Sequence, residues 1–304
     1  MLLRILLLLY VLASTWVMPA TIFAQDPSEA ATTASGQKLR VAVAPMMSPS
    51  DTFASYFRLL QYLGSQLGME LEFVQRKTHA EVRELLHSNS IDMAFICSGP
   101  YALDTTDTGQ NLLAMPVVQG ESTYQSYVIV HASSQAKSLN DLSDKTFAFT
   151  DPDSNTGYLN PVFLLRQAGY APESFFRSTI FTHSHDNSIL AVARGLVDAA
   201  AVNSLVWDYS EARRPELTGK TKVLVKSGAF AIPPVVTSAG MDDSRRNKIR
   251  DILLHMHENP QGRAMLQELR IDRFVVPEDA WYANVRHMAA PSFSEGPAHG
   301  QALP

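Results

Sequence analysis

Two runs of alternating strand-like and helix-like segments, separated by two extended stretches, constrain this 304-residue chain more than any other feature. Leu39 to Ala44 is a short β-rich run. Thr52 to Leu67 then places Phe53, Tyr56, Phe57, Leu60, Leu63 and Leu67 at helical spacing, and Leu71 to Val74 is strand-like again. A helix over Ala80 to His87 and a strand over Ile91 to Ile96 complete a βαβαβ unit. A second set follows: strand Thr146 to Thr150, helix Tyr158 to Ala168 stopped by Gly169, strand Ser178 to Phe181, helix Ser188 to Arg194 stopped by Gly195, and strand Ala199 to Val202. The extended stretches Ser122 to His131 and Ile232 to Ala239 lie on either side of it, and helices Ser244 to Glu258 and Gly262 to Leu269 close the chain. Such alternation calls for parallel sheets covered by helices, with binding loops at the carboxyl ends of the strands. The order predicts an α/β fold of two lobes joined by two crossing hinge strands. Residues 38–122 and 235–290 form the first lobe and 123–234 the second, with a ligand held in the cleft as the hinge closes.

The chain ends stand apart from this core. Met1 to Ala24 holds one charge, Arg4, then the apolar run Ile5 to Ala13, a break at Pro19 and a small residue at Ala24. That layout predicts a cleavable secretory signal peptide over 1–24, because the run falls short of the ~18 to 20 apolar residues of a membrane span. Residues 25–37 read as a flexible linker and 291–304 as a disordered tail. Export implies an oxidising compartment, the periplasm. The single Cys97 excludes an intramolecular disulfide and a multi-cysteine zinc site. With 25 basic against 30 acidic residues and no basic run longer than a pair, nucleic acid is excluded as a partner. A monomer without cofactor or resident metal is expected. His255 and His257, two apart on a predicted helix, face different sides and make a poor metal pair.

Two cleft-facing loops share one construction. Thr150 to Gly157 follows a strand and opens a helix, so it presents hydroxyls and free backbone N–H groups at a positive helix end, an anion-binding arrangement. Thr182 to Ser188 does the same. Asp153 or Ser154 could instead merely cap the first helix and Asp186 the second, with His183 and His185 as solvated surface groups. Two such starts in one lobe can point at one anion.

Tyr124-Gln125-Ser126-Tyr127, DPDSNTG at Asp151 to Gly157, SHDNS at Ser184 to Ser188 and VDAAAVNS at Val197 to Ser204 together resemble the phosphonate/phosphite/phosphate solute-binding proteins of ABC transporters, over Leu39 to about Val276. The resemblance implies a type II periplasmic binding protein that captures a small oxyanion for a transporter permease. It implies that Ser154, Asn155, Thr156 and His185 hold the oxygens, and that Tyr124 and Tyr127 line the cleft from the crossing strand. Asp186 and Asn203 complete the candidate set in the second lobe. Where members that bind aminoalkylphosphonates carry carboxylates for the ligand amine, this chain has Leu205 and Ile232-Pro233-Pro234, which disfavours such a ligand. The family's Ser-Thr-Ser run is Ser154-Asn155-Thr156 here, which adds an amide able both to donate and to accept.

The sharpest departure is Phe95 to Tyr101, at the carboxyl end of a first-lobe strand, where Cys97, Ser98 and Tyr101 are expected to close over the ligand. Cys97 fits either a small buried apolar residue or a ligand for a thiophilic centre. The second option resembles the arsenite-sensing branch of the same family, whose members signal to a membrane histidine kinase. A cysteine hydrolase built from Cys97, His185 and Asp186 is a remote alternative, because neighbours on a chain rarely aim as a base and its orienter must. Met46 and Met47 could line the cleft or pack in the core.

Overall fold

The computed structural model describes residues 38–104 and 110–289; the leader, the linker and the tail fall outside these. The first stretch of chain runs β1 (Lys38–Val43), α1 (Pro49–Leu67), β2 (Glu70–Val74), α2 (His79–His87), β3 (Met93–Phe95), α3 (Ser98–Leu103) and β4 (Asn111–Val117). It crosses through β5 (Thr123–Tyr124) into β6 (Ser126–His131). The second lobe continues with β7 (Thr146–Phe149), a π turn over Asn155–Leu159 that runs into α4 (Asn160–Gln167), α5 (Pro172–Phe175), β8 (Ser178–Phe181), α6 (His185–Ala193), β9 (Ala199–Asn203), α7 (Ser204–Arg213), α8 (Pro215–Thr218) and β10 (Thr221–Lys226). The chain returns through β11 (Phe230–Ala231) to β12 (Val235–Thr237), α9 (Asp243–His255), α10 (Pro260–Glu268), β13 (Arg273–Val275) and α11 (Ala283–Ala289).

Six strands form the first sheet, in the order β13-β4-β12-β3-β1-β2, and five form the second, β10-β6-β9-β7-β8. β1 pairs in parallel with β2 and β3, and β7 in parallel with β8 and β9. The strands that enter and leave each lobe pair antiparallel to these parallel centres. A short ladder of β5 with β11, Tyr124 opposite Phe230, carries both crossings side by side.

Side-chain alternation explains why the central strands read as unbroken apolar runs. Val128 and Val130 of β6 with Ala199 and Ala201 of β9 pack on one face of the second sheet beside Phe147 and Leu165. Ile129, Ala200 and Val202 pack on the other beside Ile189 and Val192. Both faces are covered, so no position is left for a polar side chain. The first lobe buries Leu39, Val41 and Val43 of β1 against Leu59, Leu60 and Leu63 of α1. α1 ends at Gly68, whose φ of 65° is the left-handed value a non-glycine residue rarely adopts.

The helix starts differ from expectation in a way that bears on the site. After β7 the helical backbone begins at Asn155, not Tyr158, because the Ser154 hydroxyl accepts from the Gly157 N–H at 3.1 Å. After β8 the cap is Ser184, extended and accepting from Asn187 N–H, so α6 begins at His185 and draws His185 and Asp186 into its first turn. The periodicity also passed over β4, β10, α3, α7, β13 and α11. β10, with Lys222 and Lys226 exposed, is a half-covered edge strand whose lysines hide its alternation.

Candidate functional site

The carboxyl ends of β1, β2 and β3 meet those of β7, β8 and β9, and the loops that leave them form the site. In the second lobe the loops after β7 and β8 lie side by side, joined by Thr182 N–H to the Phe149 carbonyl at 3.0 Å and His183 N–H to the Thr150 carbonyl at 2.8 Å. Ser154, Asn155 and Thr156 are fully buried, as is His185 but for a trace. Buried polar atoms without a hydrogen-bond partner gather on these loops: Thr150 Oγ1, Asn155 Oδ1, Thr156 Oγ1 and His185 Nε2, with His79 Nδ1 opposite them. A buried polar atom without a partner costs about 1–3 kcal/mol, so a cluster of them makes these loops the candidate place for a polar ligand.

His185 has a defined role. The Asn203 backbone N–H donates to its Nδ1 at 3.1 Å, which fixes the proton of the neutral ring on Nε2, the atom with no partner. Burial first, then the nearby His79, pushes the ring down to about 3, with Asp186 opposing, so it is neutral at physiological pH. His185 therefore offers one buried neutral donor. His79 lies at the start of α2, its backbone N–H donating to Asp151 Oδ2 at 3.2 Å across the cleft. Burial lowers His79 as well, against the opposing pull of Asp151 and Asp153.

The first lobe contributes the turn after β3. The Ser98 hydroxyl lies 2.5 Å from the Tyr124 hydroxyl, which in turn accepts from Asn155 Nδ2 at 3.1 Å. Cys97 is fully buried at the head of α3. Burial pushes its thiol up, while the Gly99 and Asn155 backbones and the Tyr124 and Ser154 side chains pull the other way, so the sulfur sits among these polar groups as a neutral thiol. Gly99 packs so closely on the loop opposite that a Cβ there would lie 2.0 Å from the Asp153 carbonyl oxygen.

Three of the expected residues are engaged elsewhere. Asp186 Oδ1 accepts from the Ser48 N–H at 2.9 Å, and its other oxygen faces Arg214, so it ties the lobes together. Tyr101 donates to Asp279 Oδ1 at 2.6 Å and packs edge-on against Tyr282. The Asn203 side chain caps α7 through Leu205 N–H, leaving its backbone to orient His185. Tyr124 and Tyr127 line an adjoining cavity of about 340 Å³, together with Met46, Met47, Leu205 and Pro233. Asp208 also reaches this wall; burial raises it and Glu211 adds to that, while Arg270 and Lys226 already supply cationic neighbours. Among the described residues no group of three or more His, Cys, Asp or Glu side chains is placed to hold a metal ion.

The sequence patterns did not single out His79, nor Asp151 and Gly99 within the segments that contain them. The signal for His79 was present: Thr78 and Glu81 have capping-box spacing, and the box is formed, with Glu81 N–H to Thr78 Oγ1 at 3.2 Å and Thr78 N–H to Glu81 Oε2 at 3.0 Å. It marks a third helix start on the same cleft.

The buried imidazoles make stability depend on pH. A ring held below its ordinary 6.5 binds its proton less readily when folded than when unfolded, so stability is complete above about pH 6.5 and is lost as pH falls from there towards 3. Urea unfolding is expected to show a midpoint that drops between pH 7.5 and pH 4.5, and His185→Gln is expected to flatten that slope. An unchanged midpoint across this range would refute the neutral-imidazole assignment.

Residues 41–282 match the family model for the periplasmic substrate-binding proteins of phosphonate ABC transporters. The chain is similar to a phosphonates-binding periplasmic protein of Escherichia coli, 27% identical over 236 residues, covering 76% of this chain and 69% of the relative. It is also similar to a phosphate-import protein of Mycolicibacterium smegmatis, 32% identical over 215 residues, covering 66% of each. Among solved structures, the binding component of a phosphonate ABC transporter from Pseudomonas aeruginosa superposes with a TM-score of 0.79 at 23% identity, over 84% of this chain and 86% of that one. A Prochlorococcus marinus protein in complex with methylphosphonate superposes with a TM-score of 0.75 at 18% identity, over 83% and 97%. These superpositions show the fold, two lobes of the type II periplasmic binding protein kind.

Proposed function

The chain belongs to the periplasmic substrate-binding proteins of phosphonate ABC transporters, and from that membership we propose that it captures a small phosphonate or phosphite without an amine and delivers it to a membrane permease. The observation that carries the reading is the buried set of unpartnered polar atoms on adjacent helix starts, with the neutral Nε2 donor of His185 at its centre. Neutral donors and helix ends hold an anion without a matching cation.

In this reading the leader over 1–24 directs export and the protein acts as a monomer. The ligand enters while the lobes are apart, and the second-lobe loops take its oxygens. Closure then brings His79 N–H to Asp151, His185 N–H to the Met46 carbonyl at 3.0 Å, and Gly99 onto the Asp153 to Asn155 backbone. The substituent on phosphorus extends towards the cavity beside Leu205 and Pro233, whose side chains have nothing to offer an ammonium; of the carboxylates on that wall, Asp208 is raised by burial and has Arg270 and Lys226 beside it, and Glu121 is exposed. Cys97 packs beside the oxyanion as a thiol, and the protein serves no catalytic step.

Thermal shift with methylphosphonate, phosphite, phosphate, 2-aminoethylphosphonate and arsenite tests this. A ligand at about 100 times its Kd adds about 2.7 kcal/mol. Methylphosphonate or phosphite is expected to stabilise most and the amine-bearing phosphonate less, with Cys97→Ser leaving the order unchanged. If neither methylphosphonate nor phosphite stabilises the protein, or if arsenite does so through Cys97, the reading falls.

A further inference from the structure

The unpartnered atoms at the cleft differ in kind. His185 can only donate at Nε2, because Nδ1 already accepts from Asn203 N–H. Asn155 is the reverse: its Nδ2 donates to the Tyr124 hydroxyl, so its Oδ1, fully buried and without a partner, can only accept. A fully deprotonated phosphonate carries acceptors alone. It would satisfy His185 and leave Asn155 Oδ1 facing lone pairs, with the penalty of an unpaired buried acceptor. A singly protonated phosphonate carries one O–H and satisfies both.

Charge at the loops points the same way. Arg83 of α2 is shared between Asp153 at 3.4 Å and Asp104 at 3.6 Å, and Arg214 is shared between Asp51 and Asp186. Asp151, fully buried, takes N–H groups from His79 and Asp153. These arginines are matched by carboxylates, and a second negative charge on the ligand would add to a region that already holds five aspartates against two arginines. We propose that the site takes its phosphonate or phosphite as the singly protonated monoanion, with the acidic O–H given to Asn155 Oδ1. This rests on the function proposed above.

Burial holds the ionisable side chains nearest the unpartnered atoms in their neutral forms. From α6, His185 is held at about 3, and from α2, His79 is lowered. From the turn into α3, Cys97 is raised, and from β5, Tyr124 is raised well above its ordinary value, both by burial. A break in affinity that moves with the ligand therefore reports the ligand's own proton. A phosphoryl monoester loses its second proton near about pH 6, and alkylphosphonates lose theirs somewhat higher.

Calorimetric titration of the protein with methylphosphonate and with phosphite, between about pH 5.5 and 8.5, tests the inference, with methanesulfonate as a monoanion of similar size that has no O–H. Affinity is expected to be level below each ligand's second ionisation and to fall about tenfold per pH unit above it, the break moving with the ligand. Methanesulfonate is expected to bind at least about tenfold more weakly than methylphosphonate at the low end, and Asn155→Ala to narrow that gap. Affinity that stays level or rises through the ionisation, methanesulfonate binding equal to methylphosphonate, or a gap unchanged in Asn155→Ala would each overturn the proton assignment while leaving phosphonate capture standing. Failure of methylphosphonate and phosphite to bind at any pH would instead overturn the function on which it rests.

Discussion

Gly99→Ala is expected to weaken methylphosphonate binding by about a hundredfold or more while leaving the ligand-free thermal midpoint within a few degrees of the parent. The added Cβ would meet the Asp153 carbonyl oxygen at 2.0 Å and the Asn155 nitrogen at 2.8 Å, both backbone atoms. That backbone has nowhere to retreat. Asp151 Oδ1 holds Asp153 N–H at 2.9 Å, the Asp151 carbonyl holds Ser154 N–H at 2.9 Å, and Ser154 Oγ holds Gly157 N–H. The only relief is to keep the lobes apart, and with the lobes apart alanine suits a helical position better than glycine. The penalty therefore falls on closure and spares folding. Calorimetry gives the affinity and small-angle scattering the compaction on adding ligand. Parent-like affinity with parent-like compaction would show that Gly99 does not set the closed distance.

His185→Ala is expected to raise the Kd by about ten- to a hundredfold, since a hydrogen bond to a charged group contributes about 1.5–3 kcal/mol. The same change leaves Asn203 N–H without its acceptor, so some loss of stability accompanies it. His185→Gln separates the two effects, because it restores a side-chain amide donor, and is expected to recover part of the binding. If His185→Ala binds methylphosphonate as the parent does, the Nε2 donor is not part of the oxyanion cradle.

The alternation of strands and helices was legible because both sheets are parallel at their centres, and parallel strands buried on both faces announce themselves as Val41-Ala42-Val43 or Ala199 to Val202 do. The loops at Ser154 and His185 were legible for the same reason, being the turns that follow such strands. The partners of those loops were not. Gly99 against Asp153, His79 against Asp151 and Ser48 against Asp186 lie 54, 72 and 138 residues apart in the chain, and no local periodicity encodes a contact that exists only when two lobes meet. Asp186 is an example: it stands beside His185 in the sequence, and its carboxylate accepts from the Ser48 backbone of the opposite lobe. The partner of Tyr101, Asp279, likewise comes from the last elements of the chain.

The strand order also governs when each lobe can exist. The second sheet is complete once residue 226 has emerged, whereas the first must leave a gap between β3 and β4 until β12 arrives, and an open edge at β4 until β13 does. The half that is made first is thus finished last, by insertion of a strand into its middle. For a chain that crosses a membrane before it folds, this delays the first core until almost the whole sequence has been delivered, and keeps the two halves of the ligand cradle from meeting in a partly translocated chain.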